Sequence, residues 1–182
     1  MSHAIAMLEY TTVAAGMRAA DEMVKTAEVE LIEAQVACPG KYISLIRGDL
    51  SAVKAAMEAA RNSSKGKLID SFVLGNPHES IFPAIYGTTE IEAPKALGVL
   101  ETFSAASIIV AADVAAKTAE VNLIELRIAK GMCGKSYMTL TGEVAAVSAA
   151  VEAAEKAVSE NGMFLDSEVI ANPDEKMWKK LL

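Results

Sequence analysis

The segment AIAMLEYTTVAAGMRAADEMVKTAEVELIEAQVA, residues 4–37, recurs without a gap as ALGVLETFSAASIIVAADVAAKTAEVNLIELRIA at residues 96–129. The similarity continues through both copies and is interrupted by two insertions of two residues each. Over residues 4–37, 40–62 and 66–82, the copies share 33 of 74 aligned positions, against roughly a tenth for unrelated segments of this composition. The chain therefore contains an internal duplication, and its fold must be one that forms twice.

Each copy is long enough to form a small domain. The insertions fall between predicted helices and strands, where loops tolerate changes in length. Between the copies, the segment YGTTEIEAPKA contains Gly87, two threonines and Pro94 and is typical of a linker. We predict a first domain at residues 1–87, a linker at 88–95 and a second domain at 96–182.

Hydrophobic periodicity predicts the same order of elements in both copies. In the first copy, an apolar strand precedes a helix that begins after Thr11 or Thr12, and two alternating strands then form a hairpin around the turn CPGK. A second helix, a fourth strand and a short helix begun by Pro77 follow. The order βαββαβα predicts an α+β, ferredoxin-like (split βαβ) domain with two helices over one face of an antiparallel sheet.

Composition and charge argue against several functions. The net charge of -7 comes from interspersed acidic and basic residues, without the basic stripe of a nucleic-acid-binding protein. The start MSHAIAMLEY lacks the pattern of a signal peptide. The most apolar helix is interrupted by Glu101 and Asp113, well short of the roughly 20 apolar residues that a membrane span needs. We expect a cytoplasmic protein whose Cys38 and Cys133 are thiols or ligands rather than a disulfide.

Two related motifs carry a resemblance to a known family. DEMVKTAEVELIE at residues 21–33 and DVAAKTAEVNLIE at residues 113–125 each follow a strand that ends in Glu and precede a Gly-Lys loop. This pattern resembles the domain of bacterial microcompartment (BMC) shell proteins, and two copies resemble the tandem-domain shell proteins. The motifs CPGK at residues 38–41 and EKMW at residues 175–178 resemble the PduT type within this family.

The resemblance implies a non-enzymatic shell protein with two tandem BMC domains. Three chains would form a homotrimer that imitates a hexagonal tile, a pseudohexamer, and tiles would meet other shell proteins edge to edge. A central pore would be lined by two loops of each chain, formed by Pro39, Gly40, Lys41, Lys130, Gly131, Met132, Cys133, Gly134 and Lys135.

The resemblance also implies a role at the tile edge for Lys25 and Lys117. The alternative is that both are solvated cations favoured by the helix dipole at a C-terminal turn. Many relatives carry a further edge contact from an Arg before a Pro-His pair, but Asn76 and Asn172 occupy that place here.

Cys38 has two interpretations. A lone cysteine in a hairpin turn is usually a small packed residue. In the implied trimer, however, three copies of Cys38 converge, and three thiolates form a soft-ligand site that a single chain lacks. The PduT-type resemblance implies one [4Fe-4S] cluster per trimer, for electron transfer across the shell or cluster supply, with an encapsulated redox enzyme as a possible partner. Cys133 lies in the two-residue insertion, and we favour a packed thiol there over an alternative ligand.

Two other functions stay open. The pore of the shell tile could be unmetallated and conduct small metabolites, with Lys41 and Lys135 favouring anions. A trimeric ferredoxin-like sensor or enzyme is the third hypothesis. Glu9 and Glu101 end equivalent strands, and because they occur once per copy we interpret them as structural rather than as an acid/base pair.

Overall fold

The computed structural model describes residues 4–63 and 66–182. Residues 1–3, which belong to the predicted first domain and to the N-terminal segment considered for a signal peptide, lie outside the described residues. The first repeat contains the elements βαββαβα, as the periodicity predicts. They are β1 (Ala4–Tyr10), α1 (Val13–Thr26), β2 (Glu30–Ala37), β3 (Lys41–Gly48), α2 (Leu50–Ser63), β4 (Leu68–Leu74) and α3 (Ile81–Tyr86).

The second repeat has the same order, which confirms the predicted fold class in both copies. Its elements are β5 (Ala96–Thr102), α4 (Ala105–Thr118), β6 (Val121–Arg127), β7 (Ser136–Gly142), α5 (Val144–Ser159), β8 (Phe164–Ile170) and α6 (Glu175–Leu181).

The prediction that α3 begins at Pro77 is wrong. The helix begins at Ile81, after Ser80 as its N-cap residue. The preceding backbone is engaged elsewhere, because the His78 N–H donates to Asp113 Oδ1 at 2.7 Å and the His78 ring contacts the Ser80 hydroxyl at 2.8 Å. These contacts hold the segment in a turn and delay the start of the helix.

Each repeat forms one antiparallel four-stranded sheet. The strand orders are β2-β3-β1-β4 and β6-β7-β5-β8, which is the order of the split βαβ fold. The registers also agree, since Glu9 lies opposite Asp70 and Glu101 lies opposite Asp166, each followed by the same irregularity. Residues related by the duplication therefore occupy equivalent places in the two sheets.

The contacts divide the chain into two compact units whose limits differ from those of the repeats. Unit 1 contains the described residues up to Pro77 together with Ser104–Ala106 and Ala129–Gly134. Unit 2 contains His78–Phe103, Ser107–Ile128 and Lys135–Leu182. Helix α3 is thus part of unit 2, where it packs against β6 with its Ile81 side chain fully buried.

The core of unit 1 lies between its sheet and the helices α1 and α2. Alternate residues of β1 enter this core and pack against Ala19, Met23 and Met57 of the helices. The hydroxyl of Tyr10, at the end of β1, donates to the Ala60 carbonyl at 3.0 Å. Every residue of β1 is buried, so any polar group on this strand needs a partner within the protein.

In unit 2, α5 packs over β5 and β8. A smaller apolar cluster combines Leu97 of β5 and Ile124 of β6 with Trp178 of α6. The EKMW segment therefore anchors the last helix of the chain through its tryptophan.

None of the helices formed by residues 4–63 and 66–182 is long and apolar enough to cross a membrane. Helix α4, which corresponds to the apolar helix singled out in the sequence, has 14 residues, which span about 21 Å at 1.5 Å per residue. A bilayer core is about 30 Å thick.

The two repeats fill one equivalent place in their cores in opposite ways. A side chain on Gly16 of α1 would overlap Tyr42 of β3, since a Cβ there would lie 2.3 Å from the Tyr42 Cβ. At the equivalent positions of the second repeat, the helix residue is Ile108 and the strand residue is Ser136, and both are fully buried. The larger side chain therefore belongs to the strand in the first repeat and to the helix in the second.

Gly16→Ala should lower the free energy of unfolding by about 1–3 kcal/mol, because the added methyl group overfills a packed core. The measurement is chemical denaturation followed by circular dichroism. Gly75→Ala is the matched control, because its added Cβ would make only ordinary contacts at 3.5 Å and beyond with Leu50. Equal effects of the two substitutions would contradict the steric explanation, as would an undiminished loss for Gly16→Ala when Tyr42 is already Ser.

Candidate functional site

The turn between β2 and β3 presents Cys38 at the surface. Gly40 adopts φ 103°, a conformation that glycine adopts readily, and its N–H donates to the Ala37 carbonyl at 2.9 Å. The Cys38 N–H donates to the Ala129 carbonyl at 3.2 Å. The thiol of Cys38 is exposed, so within one chain Cys38 is not the small packed residue that its type usually indicates.

The second loop of unit 1, at residues 129–134, has an unusual backbone. Ala129 and Cys133 have positive φ values of 54° and 52°, a conformation that costs a non-glycine residue about 1–2 kcal/mol. The thiol of Cys133 is exposed. The interpretation of Cys133 as a packed thiol is therefore wrong for this chain, because the inserted residues carry its side chain out to solvent.

Gly134 brings the second loop against the first. Its φ is 87°, and a Cβ at this position would lie 3.1 Å from the Cys38 carbonyl oxygen and 2.9 Å from Lys41 Cε. The Gly134 carbonyl accepts a hydrogen bond from Lys41 Nζ at 3.1 Å. Unit 1 thus brings together Cys38, Lys41 and the loop that carries Cys133.

The remaining residues of the predicted pore differ in exposure. Pro39, Lys130 and Gly131 are exposed, and Met132 is half-buried. Lys135 lies in unit 2, where its ammonium group approaches Glu101 Oε2 at 3.4 Å. Of the three lysines, only Lys130 is fully on the surface.

Glu9 is the buried group that organises the first loop. Its side chain has no exposed surface, and its Oε1 pairs with Lys41 Nζ at 2.8 Å. Its Oε2 accepts the Ala105 N–H at 2.8 Å and, at the limit of hydrogen bonding, the Ala106 N–H at 3.5 Å. The ammonium group of Lys41 is therefore neutralised locally rather than presented to solvent.

Burial raises the pKa of Glu9 above its ordinary value of 4.5, because the charged form loses hydration. The hydrogen bond and charge of Lys41, and the N–H groups of Ala105 and Ala106, act in the opposite direction. The occurrence of this glutamate once per copy predicts a structural role but does not reveal this network. A glutamate within a wholly apolar strand was the signal that could have found it, since a buried carboxylate requires a partner.

A metal centre at Cys38 would need ligands from more than one chain. Within the part of the chain that the structure describes, no three His, Cys, Asp or Glu side chains are grouped as metal ligands. A thiolate is the ligand that iron–sulfur clusters use, and the exposed Cys38 can supply one. The residues present therefore fit such a cluster only as one part of a shared site.

The two predicted tile-edge lysines occupy the last turns of equivalent helices. Lys25 pairs with Asp21 at 2.6 Å and Lys117 pairs with Asp113 at 2.6 Å, both four residues earlier. The Lys25 side chain is 70% exposed. Both ammonium groups are favourably placed for the helix dipole, and neither is buried.

Comparisons with known proteins agree with the duplication. The BMC domain model matches residues 4–77 and 96–173. The bacterial microcompartment shell protein PduT of Citrobacter freundii is 40% identical over 182 residues, which cover 100% of this chain and 99% of that protein. The carboxysome shell protein CcmK2 of Synechocystis is 34% identical over 99 residues, covering 50% of this chain and 95% of its own length.

Solved structures show the same architecture. A microcompartment protein from Desulfitobacterium hafniense superposes with a TM-score of 0.86 at 45% identity, over 98% of this chain and 99% of that chain. A fused permuted hexameric shell protein from the RMM microcompartment superposes with a TM-score of 0.64 at 24% identity, over 87% of this chain and 82% of that chain. The second likeness concerns the fold alone.

Lys41→Met should lower the free energy of unfolding by about 3–5 kcal/mol at neutral pH, because it leaves the Glu9 carboxylate buried without its cation. Equilibrium denaturation measures this loss. Lys54→Met, on the exposed face of α2, is the matched control and should change stability by less than about 0.5 kcal/mol. A double variant with Glu9→Gln should lose less than Lys41→Met alone, and strict additivity of the two substitutions would contradict the pairing.

The same variant should show a defined pH dependence. Removing Lys41 removes a cause that lowers the pKa of Glu9, so the folded pKa rises further above the ordinary value of 4.5. The folded variant then binds the Glu9 proton more tightly than the unfolded chain does. The loss of stability therefore grows as pH rises from the ordinary pKa of Glu9 towards its raised pKa in the folded variant, and it disappears at lower pH. A defect that is as large at acidic as at neutral pH would argue against this origin.

Proposed function

Because the chain belongs to the BMC-domain family of bacterial microcompartment shell proteins, we propose that it is a non-enzymatic shell tile that assembles as a homotrimer. The observation that carries this proposal is the presence of two BMC folds in one chain. Three such chains supply six similar domains, and a closed cyclic assembly satisfies the same contacts in every chain. Edge contacts with other shell proteins would then build the wall of a microcompartment in the cytoplasm.

Within this tile, Cys38 is the residue proposed to bind a [4Fe-4S] cluster. Its thiol is exposed, and its backbone is fixed by hydrogen bonds on both sides of the turn. Three chains would contribute one thiolate each, one fewer than the four cysteines of common clusters. A bound cluster would supply one-electron chemistry at the pore, for electron transfer across the shell or for cluster supply, with an encapsulated redox enzyme as its partner.

The role of Lys41 in this proposal is to hold the Cys38 turn. Lys41 joins the buried Glu9 to the Gly134 carbonyl, so it connects the strand end to both loops. A fixed turn reduces the reorganisation that metal binding would require. Cys133 is exposed as well, and the ligand role is assigned to Cys38 because its turn lacks the inserted residues of the other loop.

An unmetallated pore that conducts small metabolites is the second candidate function. The exposure of Lys130 favours it, because three ammonium groups on the loops of a trimer would attract anionic metabolites. Lys41 contributes little to such a field, since Glu9 neutralises it.

Lys25 and Lys117 are proposed to act at the tile edge. The exposed Lys25 ammonium group can reach acceptors on a neighbouring tile, and Lys117 occupies the equivalent place in the second repeat. Both act through surface hydrogen bonds, which are individually weak and gain effect by repetition along an edge.

Cys38→Ser should abolish cluster binding, whereas Cys133→Ser should retain it and serves as the matched control. After anaerobic purification or reconstitution, the wild type should contain about four iron and four sulfide per three chains. Iron and acid-labile sulfide analysis, with the broad absorbance near 400 nm, provides the measurement. Iron-free wild-type protein after anaerobic reconstitution would favour the metabolite pore, and loss of iron in Cys133→Ser alone would reassign the ligand.

Lys25→Ala combined with Lys117→Ala should prevent the formation of extended sheets, because the tile edge loses two of its donors. Electron microscopy of concentrated protein reveals the sheets, and sedimentation measures the trimer, which should persist. Lys54→Ala is the control for a lost surface charge. Sheets of unchanged extent in the double variant would refute the edge role, and a wild type that forms neither trimers nor sheets would contradict the shell function.

A further inference from the structure

In unit 1, the end of β1 binds the start of α4. The Glu9 carboxylate accepts the N–H of Ala105, the first helical residue, at 2.8 Å, with Ala106 N–H at 3.5 Å. Asp70, which lies opposite Glu9 on β4, accepts a hydrogen bond from the Ser104 hydroxyl. Two neighbouring carboxylates thus hold the residue before the helix and the first helical turn, where backbone N–H groups favour negative charge.

The duplication repeats every member of this set. Glu101 and Asp166 lie opposite each other on β5 and β8, as Glu9 and Asp70 do in the first repeat. The equivalents of Ser104, Ala105 and Ala106 are Thr12, Val13 and Ala14, which stand at the start of α1. The chain therefore contains a second pair of carboxylates and a second helix start of the same kind.

This second set is left open within one chain. Thr12 makes no side-chain capping bond, and the first N–H groups of a helix have no acceptor within the helix. Across the described residues, the contacts of Glu101 and Asp166 are with Lys135 at 3.4 Å and with the neighbouring Ser167 N–H at 2.9 Å. Neither carboxylate reaches a helix start.

Apolar burial shows the same difference between the repeats. On α1, Met17 is 54% exposed, whereas the equivalent Ile109 on α4 is fully buried. At the end of β2, Val36 is 56% exposed, whereas the equivalent Ile128 is 2% exposed. A surface that the second repeat keeps covered is uncovered in the first repeat.

In unit 2, a neighbouring strand of the second repeat is also covered. Helix α3 packs against β6 with Ile81 fully buried, and the His78 N–H donates to Asp113. In the other repeat, the equivalent of α3 is α6, whose Met177 is 39% exposed. The equivalent of Asp113 is the exposed Asp21.

We infer that a second copy of this chain closes the open set. Glu101 and Asp166 of one chain bind Thr12, Val13 and Ala14 of the next chain, and α6 of the first chain covers β2 of the next. The contact is head to tail, because the two surfaces differ, and a head-to-tail contact closes a ring when its rotation permits closure. The inference rests on the proposed shell tile and names the groups that join its chains.

The head surface, defined by Thr12–Ala14, can be tested without changing a charge. Val13→Pro removes the N–H that corresponds to the 2.8 Å donor of Ala105, and proline is well tolerated at the first helical position. The preceding Thr12 is already extended, with φ -134° and ψ 144°, as a residue before proline must be. Sedimentation velocity over a range of concentrations should show a dissociation constant raised about tenfold to a hundredfold.

Val144→Pro is the matched control. Val144 is also the first residue of a helix, follows the extended Glu143 with ψ 144°, and is 43% exposed. Assembly should be unchanged in this variant. Thr12→Val, which keeps every backbone N–H, is the second head variant and should also weaken assembly, so a folding defect specific to proline does not decide the result.

The tail surface, defined by Glu101 and Asp166, is removed in the double variant Glu101→Ala with Asp166→Ala. Glu152→Ala, on the exposed surface of α5, is its control. The tail variant alone should dissociate to monomers at concentrations where the wild type is assembled. Mixed with Val13→Pro, it should form one-to-one dimers and no larger species. Only one intact junction can form, between the unchanged head of the tail variant and the unchanged tail of Val13→Pro.

Each result separates the inference from the proposed function. A wild type that assembles, with head and tail variants that assemble equally well, would overturn this interface and leave the shell tile intact. Variants that dissociate but give no dimers on mixing would also overturn it. A wild type that stays monomeric at all concentrations would overturn the trimeric tile itself. Thermal unfolding of each variant verifies that it is folded.

Discussion

The candidate site depends on one buried negative charge. Glu9 is the next-to-last residue of β1, one of the two inner strands of its sheet, and its side chain has no exposed surface. A carboxylate in such a place destabilises the fold unless its oxygens are satisfied, and here Lys41 and the start of α4 satisfy them. Because Lys41 also reaches Gly134, the requirement to stabilise one charge fixes the positions of the Cys38 turn and the second loop together.

The duplication places the same residues in two environments, and the environment decides what each pair does. The Glu9–Lys41 pair has a fully buried acid, whereas the acid of the Glu101–Lys135 pair is 32% exposed. An exposed pair contributes little to stability, whereas a buried one cannot be broken without leaving an isolated charge. One pair therefore supports the fold of a chain, while the other is available for contact with another molecule.

Local patterns in the sequence were sufficient for the architecture. Alternation in β2 and β3, helical periodicity in α1 and the threonines before it predict elements that the structure contains, because each is determined within a few residues. The start of α3 was missed, since its preceding turn depends on Asp113, which is remote in sequence. Long-range contacts of this kind leave no periodic signal.

The candidate site was predictable as a set of loops but not as a network. The repeat located the two loops, and the chemistry of thiols singled out Cys38. Cys133 is exposed on a loop with left-handed backbone at Ala129 and Cys133, conformations that residue type does not indicate. The pairing of Lys41 with Glu9 could not be predicted without the fold either, because Glu9 lies in a different strand and 32 residues earlier.

The exchange of volume between Gly16 with Tyr42 and Ile108 with Ser136 makes the two halves of the gene non-interchangeable. Recombination between such similar halves could exchange the first helices of the two copies. The product would hold an isoleucine against a tyrosine in one core and a glycine against a serine in the other, so one core would be overfilled and the other would contain a void. The compensating differences between the two cores therefore disfavour any exchange of segments between the copies, despite the similarity of their sequences.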